Sequence, residues 1–453
     1  MTYRIRTILF LSLLILFLII AFLTVFYSMG WRFDWKTRKI TQPGIFYFKI
    51  WPRSVQVYLD GKLKDKTDFF FGSILIENLL SKEYEVEIKK EGFHAWKKTL
   101  EIKKGEVTET KNIVLIPENP NFTIITDEVN DFFFSPDGKK IVLKESWLAS
   151  QSSPGASEGW SLKLFEIDKN VKSHLINEDD ILEDEVELFD LKFSADSNKV
   201  LLELGIEEKI NYYLLEIDES PPVLTSLGFL EWPEQAFLDS ATELENVITF
   251  FISNKDIYYL DTTGFVFKNQ ERLNLIPFEV KEETEYEITV LNSYVFLQEN
   301  SILYIFDRDK KSFEKFFEPI KGFKSSPDFQ KMVYFNDYEI WVLFLEKKYD
   351  QPQKEAGEKL FITRFSEKID NLFWYTSHYL IFNVGDKIKV VEIDDRDKIN
   401  IVDLTEFSSV AKSYGESSEA SSEGGKEPKI FWSNKKLYIL SEKNLYVSEE
   451  LTP

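Results

Sequence analysis

The sequence predicts an all-β protein that one N-terminal helix tethers to a membrane, and three observations carry this prediction. Residues 7–31 contain no charged side chain. Residues 40–117 alternate between apolar and polar side chains in short runs. Residues 121–453 carry a weak internal repeat of about 40 to 60 residues. Together these patterns predict a transmembrane helix, then a small β-sandwich, then a β-propeller of about seven blades.

Residues 7–31 are long and apolar enough to span a bilayer. A helix rising about 1.5 Å per residue would extend about 37 Å here, and the hydrocarbon core of a bilayer measures about 30 Å. Tyr27 and Trp31 lie where interfacial aromatic residues are found. A signal peptide is the main alternative, but the run is too long and lacks a small-residue cleavage site close behind it. We therefore expect an uncleaved, single-pass anchor.

The charges that flank this segment give little contrast for orientation. Arg4 and Arg6 precede the segment, and Arg32, Lys36, Arg38 and Lys39 follow it. The tail of residues 1–6 is too short to fold, whereas a long domain translocates largely regardless of its charge. We therefore expect a cytoplasmic tail at residues 1–6 and the bulk of the chain on the extracytoplasmic side of the cell membrane.

Composition argues against several classes of function. The chain has a net charge of −22, so neither nucleic acid nor anionic lipid is expected as its main partner, because both carry the same sign. It has no Cys and three scattered His residues, which argues against thiol chemistry and zinc centres. The acidic clusters at residues 178–184 and 394–397 lack the ligand spacing of a calcium loop, so we interpret them as solvated loops. No catalytic, cofactor-binding or metal-ligating residue is predicted, and no cofactor.

Residues 40–117 have the period of two that is typical of half-buried strands. Val55, Val57 and Leu59 alternate with polar residues, and Asp60-Gly61 then supplies a two-residue hairpin turn. A second alternating run contains Tyr84, Val86 and Ile88 and is followed by a turn at Gly92. About six such strands in seventy-odd residues predict two packed sheets.

Two stretches of this region, residues 52–62 and residues 89–93 with Trp96, resemble the PEGA domain family. The tetrapeptide that names the family is replaced here by Pro52-Arg53-Ser54-Val55. The resemblance implies a small β-sandwich that serves as an interaction or spacer module of cell-surface proteins and has no known catalytic role. It also supports an extracytoplasmic location.

Two markers define the repeat in residues 121–453. The first is an aromatic-Ser-Pro-Asp turn, best seen at residues 134–138 and found more weakly at residues 193–196 and 326–328. The second is an apolar strand that closes on an acidic residue, at residues 162–168, 212–218, 257–261, 303–307, 340–346, 388–394 and 445–449. Each pair would form the central hairpin of one blade, with its carboxylate bonded to the turn backbone. The best copy resembles the TolB-type, WD40-like propeller repeat.

A closed ring also requires that the two ends of the chain meet. The last predicted strand, at residues 445–449, leaves the seventh blade without its outermost strand, and we expect residues 122–126 to supply it. Residues 149–159, 350–358 and 408–428 are rich in Ser, Gly, Glu or Pro, and we expect them to be mobile loops.

These patterns predict a membrane-anchored binding or scaffolding protein of the cell surface. Its propeller would contact an unknown surface protein or cell-wall component through one end of the ring. One alternative is an envelope enzyme acting on glycan or peptide, which two inward-facing carboxylates about 5 to 9 Å apart in the propeller channel would favour. Another is an accessory subunit of an envelope complex.

Overall fold

The computed structural model describes residues 3–28, 30–34, 38–68, 70–148, 158–181, 186–194, 196–206, 209–228, 246–253, 256–282, 284–407 and 428–453. Helix α1 spans Tyr3–Ser28, and its segment Ile5–Ser28 is long and apolar enough to cross a membrane, with none of it buried against the rest of the chain. The helix therefore fits a membrane span or a signal sequence. It ends before Trp31 because Gly30 adopts a φ of 83° and donates its amide to the Tyr27 carbonyl.

A two-stranded antiparallel ribbon follows the helix directly. It consists of β1 (Arg32–Asp34) and β2 (Lys39–Thr41), and Phe33 lies opposite Ile40 across the pair. The ribbon forms a sheet of its own and leads into the first strand of the sandwich after two further residues.

Seven strands then form two facing sheets. They are β3 (Gly44–Trp51), β4 (Gln56–Leu59), β5 (Lys62–Lys66), β6 (Ser73–Leu79), β7 (Glu83–Lys89), β8 (Trp96–Glu101) and β9 (Val107–Val114). The order is β6-β3-β9 in one sheet and β5-β4-β7-β8 in the other. Strand β7 buries Tyr84, Val86 and Ile88 as its alternation predicts, and Asp60 and Gly61 both adopt positive φ in the predicted hairpin turn.

Within the described residues, the next strands form seven four-stranded antiparallel sheets. The strand β10 (Phe122–Thr126) comes first. Blades 1 to 3 consist of β11 (Val129–Phe134), β12 (Lys140–Leu148), β13 (Glu158–Glu166), β14 (Val171–Asn177), β15 (Glu187–Phe193), β16 (Lys199–Ile206), β17 (Lys209–Glu216), β18 (Val223–Gly228), β19 (Val247–Ser253), β20 (Asp256–Asp261), β21 (Val266–Lys268) and β22 (Glu271–Arg272). A 3-10 turn, Glu178–Asp180, follows β14.

Blades 4 to 7 complete the ring. They consist of β23 (Tyr286–Leu291), β24 (Tyr294–Glu299), β25 (Ile302–Asp307), β26 (Ser312–Phe317), β27 (Gly322–Ser325), β28 (Lys331–Phe335), β29 (Glu339–Phe344), β30 (Lys359–Arg364), β31 (Ile369–Thr376), β32 (Tyr379–Val384), β33 (Lys387–Glu392), β34 (Ile401–Glu406), β35 (Lys429–Ser433), β36 (Lys436–Ser441) and β37 (Asn444–Ser448). The predicted class, an all-β chain with one N-terminal apolar helix and a propeller, is confirmed.

The two ends of the propeller close the ring as predicted. Strand β10 pairs antiparallel with β37, with Phe122 opposite Ser448 and Thr123 opposite Val447. The seventh blade thus combines three C-terminal strands with one strand from the start of the propeller, in the order β10-β37-β36-β35. This pairing satisfies the backbone groups of β37 that would otherwise lie at an open sheet edge.

Blade 3 departs from the predicted hairpin. The strand at residues 257–261 lies within β20, which is the second strand of its described sheet, where the repeat predicts the third. After this strand, Asp261 accepts hydrogen bonds from the amides of Thr263 and Phe265, and Gly264 at a φ of 85° turns the chain into the short β21. Of the predicted loops at residues 149–159 and 408–428, residues 149–157 and 408–427 lie outside the described residues, while residues 158 and 159 begin β13.

Candidate functional site

Three serine turns mark one end of the ring, where the innermost strands of blades 1, 2 and 5 finish. The hydroxyls of Ser135, Ser194 and Ser326 each donate to an Asp two residues later, at 2.6, 2.6 and 2.5 Å. Each hydroxyl also accepts the amide five residues later, at 2.9 to 3.0 Å. The Ser194 hydroxyl helps to lower the pKa of Asp196. These carboxylates therefore form hydrogen bonds within their own turns, as the repeat predicts.

A recess of about 500 Å³ opens at this end, beside the innermost strands of blades 7, 1 and 2. Four of its nine lining residues are aromatic, namely Phe134, Phe193, Phe431 and Trp432, and the exposed Lys192 also lines it. Phe134 and Phe431 stack with their ring centroids 4.1 Å apart. Aromatic walls with a polar edge are typical of surfaces that take up a partner side chain or a small ligand.

The aromatic lining continues from the recess towards blades 6 and 5. Phe431 makes an edge contact with Phe373, with the centroids 5.1 Å apart, and the Nζ of Lys324 lies 3.4 Å from the Phe373 centroid. Burial lowers the pKa of Lys324 to about 8. Sequence reasoning missed this feature. The available signal was that Lys192 and Lys324 both stand two residues before a turn serine, so they occupy equivalent positions in two blades.

The enzyme alternative requires a pair of carboxylates in the channel. The described residues that line the recess include no Asp or Glu. Three carboxylates, Glu367, Asp386 and Glu406, do share an open groove of about 410 Å³ on blade 6. This groove is formed by connections at the opposite end of the ring, outside the channel where the enzyme alternative places its carboxylates. Within the described part of the chain, no cluster of three or more His, Asp and Glu residues fits a metal ion.

The sandwich covers blades 5 and 6 at the same end as the serine turns, and a buried ion pair lies at the centre of this contact. Lys98 of β8 places its Nζ 2.8 Å from Oε1 of Glu392 on β33, and the two side chains are 0% and 3% exposed. Trp96 donates its indole N–H to the other oxygen of Glu392 at 2.8 Å. Lys98 also donates to the carbonyls of Asp394 and Lys398. The ion pair therefore has a complete hydrogen-bond shell drawn from both domains.

Residues 394–397, interpreted from sequence as a solvated acidic loop, form part of this interface. Asp394 forms an ion pair with Arg396, whose guanidinium donates to the carbonyl of Glu109 at 2.9 Å. Asp397 accepts the amide of Thr99 at 2.7 Å. The interpretation was wrong because Asp397 accepts an amide of the sandwich and Arg396 donates to one of its carbonyls, and these sandwich partners lie about 290 residues away in sequence. In the other cluster, Glu178 accepts the amide of Trp160, while residues 183 and 184 lie outside the described residues.

Residues 350–358, expected to be a mobile loop, also pack against the sandwich. Gln351 donates to the Val107 carbonyl at 3.1 Å and accepts the Glu109 amide at 3.1 Å. Asp350 pairs with Lys111 at 2.8 Å. The segment is a loop, as predicted, and the side chain of Gln351 holds part of it against the backbone of β9.

Apolar side chains reinforce the interface. Val114 and Ile116 of the sandwich share one hydrophobic cluster with Tyr379 and Leu451 of the propeller, and the Tyr379 hydroxyl accepts the Val114 amide at 3.1 Å. Strand β3 of the sandwich, eight residues long, separates this contact from the ribbon by about 26 Å at about 3.3 Å per residue. The recess at blades 7, 1 and 2 lies beside the docked sandwich and remains open.

His378 makes this interface sensitive to pH. Its Nε2 lies 3.0 Å from the side-chain Nδ2 of Asn112 in the sandwich. Burial lowers the pKa of His378 to about 4, and the positive charges of Lys331 and Lys348 contribute to this shift. The unfolded chain, with a His pKa of about 6.5, takes up a proton first on acidification. This contribution to stability is therefore present above pH 6.5 and is lost towards pH 4. We expect a loss of about 2 kcal/mol between pH 6.5 and 5.

Denaturant unfolding of the full chain at about pH 7 and pH 5 measures this loss. The His378→Gln variant keeps a neutral amide at the interface and should lose most of the pH dependence in this range. The same dependence in both proteins would show that another group is responsible.

Comparison with known proteins adds fold similarity alone. No family model matches the chain, and no curated protein matches it. Among solved structures, the RRP9 WD40 repeats have 9% identity, with 73% of this chain and 98% of that chain covered at a TM-score of 0.40. The Dos1 propeller has 12% identity, with coverages of 73% and 95% and a TM-score of 0.38. The extracellular domain of the hybrid two component system BT4673 from B. thetaiotaomicron has 10% identity, with coverages of 73% and 39% and a TM-score of 0.40.

Proposed function

We propose that this chain is a single-pass membrane protein whose extracytoplasmic propeller binds or scaffolds a protein partner. Helix α1 anchors it, and the PEGA-like sandwich is a spacer that sets the height and the orientation of the ring above the bilayer. The buried Lys98–Glu392 pair supports this role, because a spacer joined to the ring by ionic and apolar contacts transmits a defined orientation. A flexible linker would not do so.

The aromatic recess beside the sandwich is the observation that carries the binding role. Large aromatic side chains in a partly open concave surface are typical anchor sites at protein interfaces. The recess includes Phe193 and Trp432, and Lys192 lies at its edge. Because the sandwich occupies blades 5 and 6 of the same end, a partner in the recess would lie next to the sandwich and on the side of the ring that faces α1.

The net charge of the propeller favours one class of partner. Residues 121–453 contain 36 Lys and Arg against 64 Asp and Glu, whereas residues 1–120 contain 19 against 13. A surface with this excess of carboxylates attracts a basic partner and speeds its association at low salt. We therefore propose a protein partner that places an apolar side chain in the recess and directs a basic surface at the carboxylates of the propeller outside the recess.

Site-specific photo-crosslinking in intact cells tests this proposal. A photoreactive residue at Lys192, at the edge of the recess, should give one defined crosslinked product. The same residue at Val223, which is 46% exposed on the outermost strand of the same blade, should not. Trp432→Ala should reduce the yield from position 192 about tenfold, because an aromatic anchor contributes on the order of 1.4 kcal/mol or more to such contacts.

Because the chain has no native Cys, a single introduced Cys can report on which side of the membrane the propeller lies. A maleimide that cannot cross membranes should label Val223→Cys in intact cells. Labelling that requires lysis would contradict the extracytoplasmic location. Equal crosslinking from positions 192 and 223 would contradict a partner in the recess.

A further inference from the structure

We propose that the ribbon β1–β2 lies in the headgroup layer of the bilayer that holds α1, where it binds anionic phospholipid. The inference rests on the proposed function, because it requires α1 to span the membrane. It assigns a second membrane contact to the chain, distinct from the helix and formed by strands.

The position of the ribbon follows from how the helix ends. The Trp31 amide donates to the Phe26 carbonyl at 3.2 Å, and the two rings stack with their centroids 5.3 Å apart. Trp31 is thereby folded back on the last helical turn, and β1 begins at the next residue. Tryptophan is enriched at the boundary between hydrocarbon and water. The ribbon therefore starts at the depth of the headgroups, with no spacer between it and the span.

The ribbon also exposes apolar surface. Phe33 and Ile40 face each other across the two strands and are 47% and 51% exposed. An isolated two-stranded ribbon is marginally stable in water. Burying this apolar pair at the boundary of the acyl chains would stabilise the ribbon, as it does for amphipathic elements that lie along a bilayer surface.

The basic residues of the ribbon favour anionic lipid. Residues 29–43 contain four basic residues and one acidic residue, in a chain with a net charge of −22. Arg38 is exposed in the turn of the ribbon, and the Nζ of Lys104, from the adjacent sandwich turn, lies 5.2 Å from the Trp31 ring centroid. Basic side chains beside an aromatic belt attract anionic headgroups. This local attraction opposes the repulsion that an anionic bilayer exerts on the acidic propeller.

Fluorescence from single introduced cysteines in the full chain tests the inference. Because the protein has no Cys, the variants Leu14→Cys, Ile40→Cys and Phe71→Cys each carry one environment-sensitive label. The label at position 14 reports whether α1 lies in the bilayer. Phe71 is the matched control, since it is 77% exposed and precedes Gly72, whose carbonyl accepts the Ile50 amide near the propeller end of β3. The protein is reconstituted in phosphatidylcholine vesicles with or without about 30% phosphatidylglycerol, and the lipids carry nitroxide quenchers at either headgroup or acyl depth.

We expect the label at position 40 to emit at shorter wavelength than the label at position 71 and to be quenched at least about twofold more by headgroup nitroxide. Phosphatidylglycerol should increase this quenching. If position 14 is quenched by acyl nitroxide while positions 40 and 71 behave alike, the anchor stands and the ribbon inference is overturned. Quenching at position 40 that does not depend on phosphatidylglycerol overturns the choice of anionic lipid. If position 14 is not quenched, α1 is outside the bilayer, and the proposed function fails together with the inference.

Discussion

Replacement of Lys98 by Met should destabilise the full chain by about 3 to 5 kcal/mol, because it leaves the buried carboxylate of Glu392 without its counterion. The remaining donors to Glu392 are the indole of Trp96 and the backbone and side-chain amides of Asn400, at 2.8 to 3.0 Å. These neutral donors compensate a buried charge only in part. The sandwich should therefore separate from blade 6 more readily than in the native protein.

The pH dependence of this variant has a predictable sign. Burial raises the pKa of Glu392 above its ordinary value. A raised folded-state pKa means that the ionised form is disfavoured in the folded protein, so the destabilisation should shrink as the pH falls and Glu392 takes up a proton. Free energies of unfolding from denaturant titration, followed by tryptophan fluorescence, measure both effects.

Lys97 provides the matched control for Lys98. It is the preceding residue on β8, is 57% exposed and pairs with Glu87 at the surface, so Lys97→Met should destabilise the chain far less than Lys98→Met. The double variant Lys98→Met/Glu392→Met should recover much of the loss, because it leaves no unpaired buried charge. Equal losses for Lys97→Met and Lys98→Met would show that the buried pair contributes no more than a surface contact.

Replacement of Leu445 by Ala should lower the free energy of unfolding by about 2 to 5 kcal/mol, because Leu445 packs where the ring closes. Leu445 of β37 is 0% exposed, and its cluster contains Tyr438 of the same blade together with Val129 and Ile141 of blade 1. A cavity at this position loosens the packing between the last blade and the first. Because β37 also carries the pairing with β10, the loss should be accompanied by faster cleavage of the C-terminal strands in limited proteolysis.

Leu275→Ala is the control, since this leucine is 58% exposed and its truncation should change stability by less than about 0.5 kcal/mol. A second test exploits the register of closure. Thr123 and Val447 are direct partners across β10 and β37, so oxidised Thr123→Cys/Val447→Cys should restore stability to the Leu445→Ala protein. If the crosslink forms and stability does not change, the Leu445 effect does not act through ring closure.

Features that depend on spacing along the chain were predictable. The positive φ angles of Asp60 and Gly61 and the hydroxyl bonds of Ser135 and Ser194 involve residues at most five apart, so local sequence specifies them. Closure by residues 122–126 was also predictable, because a count of strands leaves one blade short by one strand.

The candidate site was predictable only in part. Fold analogy predicts an interaction surface at one end of the ring, but no pattern indicated which blades form the recess. Lys324 contacts the ring of Phe373, and this contact depends on the side chain that the next blade presents, which the repeat does not specify. A weak repeat conserves the blade and leaves the facing residues free to vary.

The sequence by itself determined the apolar N-terminal helix, the strand periodicity and the ring, because each depends on the order and spacing of apolar side chains. The tertiary structure alone decided that Lys98 meets Glu392 and that residues 350–358 pack on the sandwich. The physical reason is that the composition of a polar segment reports its solubility, whereas its environment depends on donors and acceptors that the fold brings together across hundreds of residues.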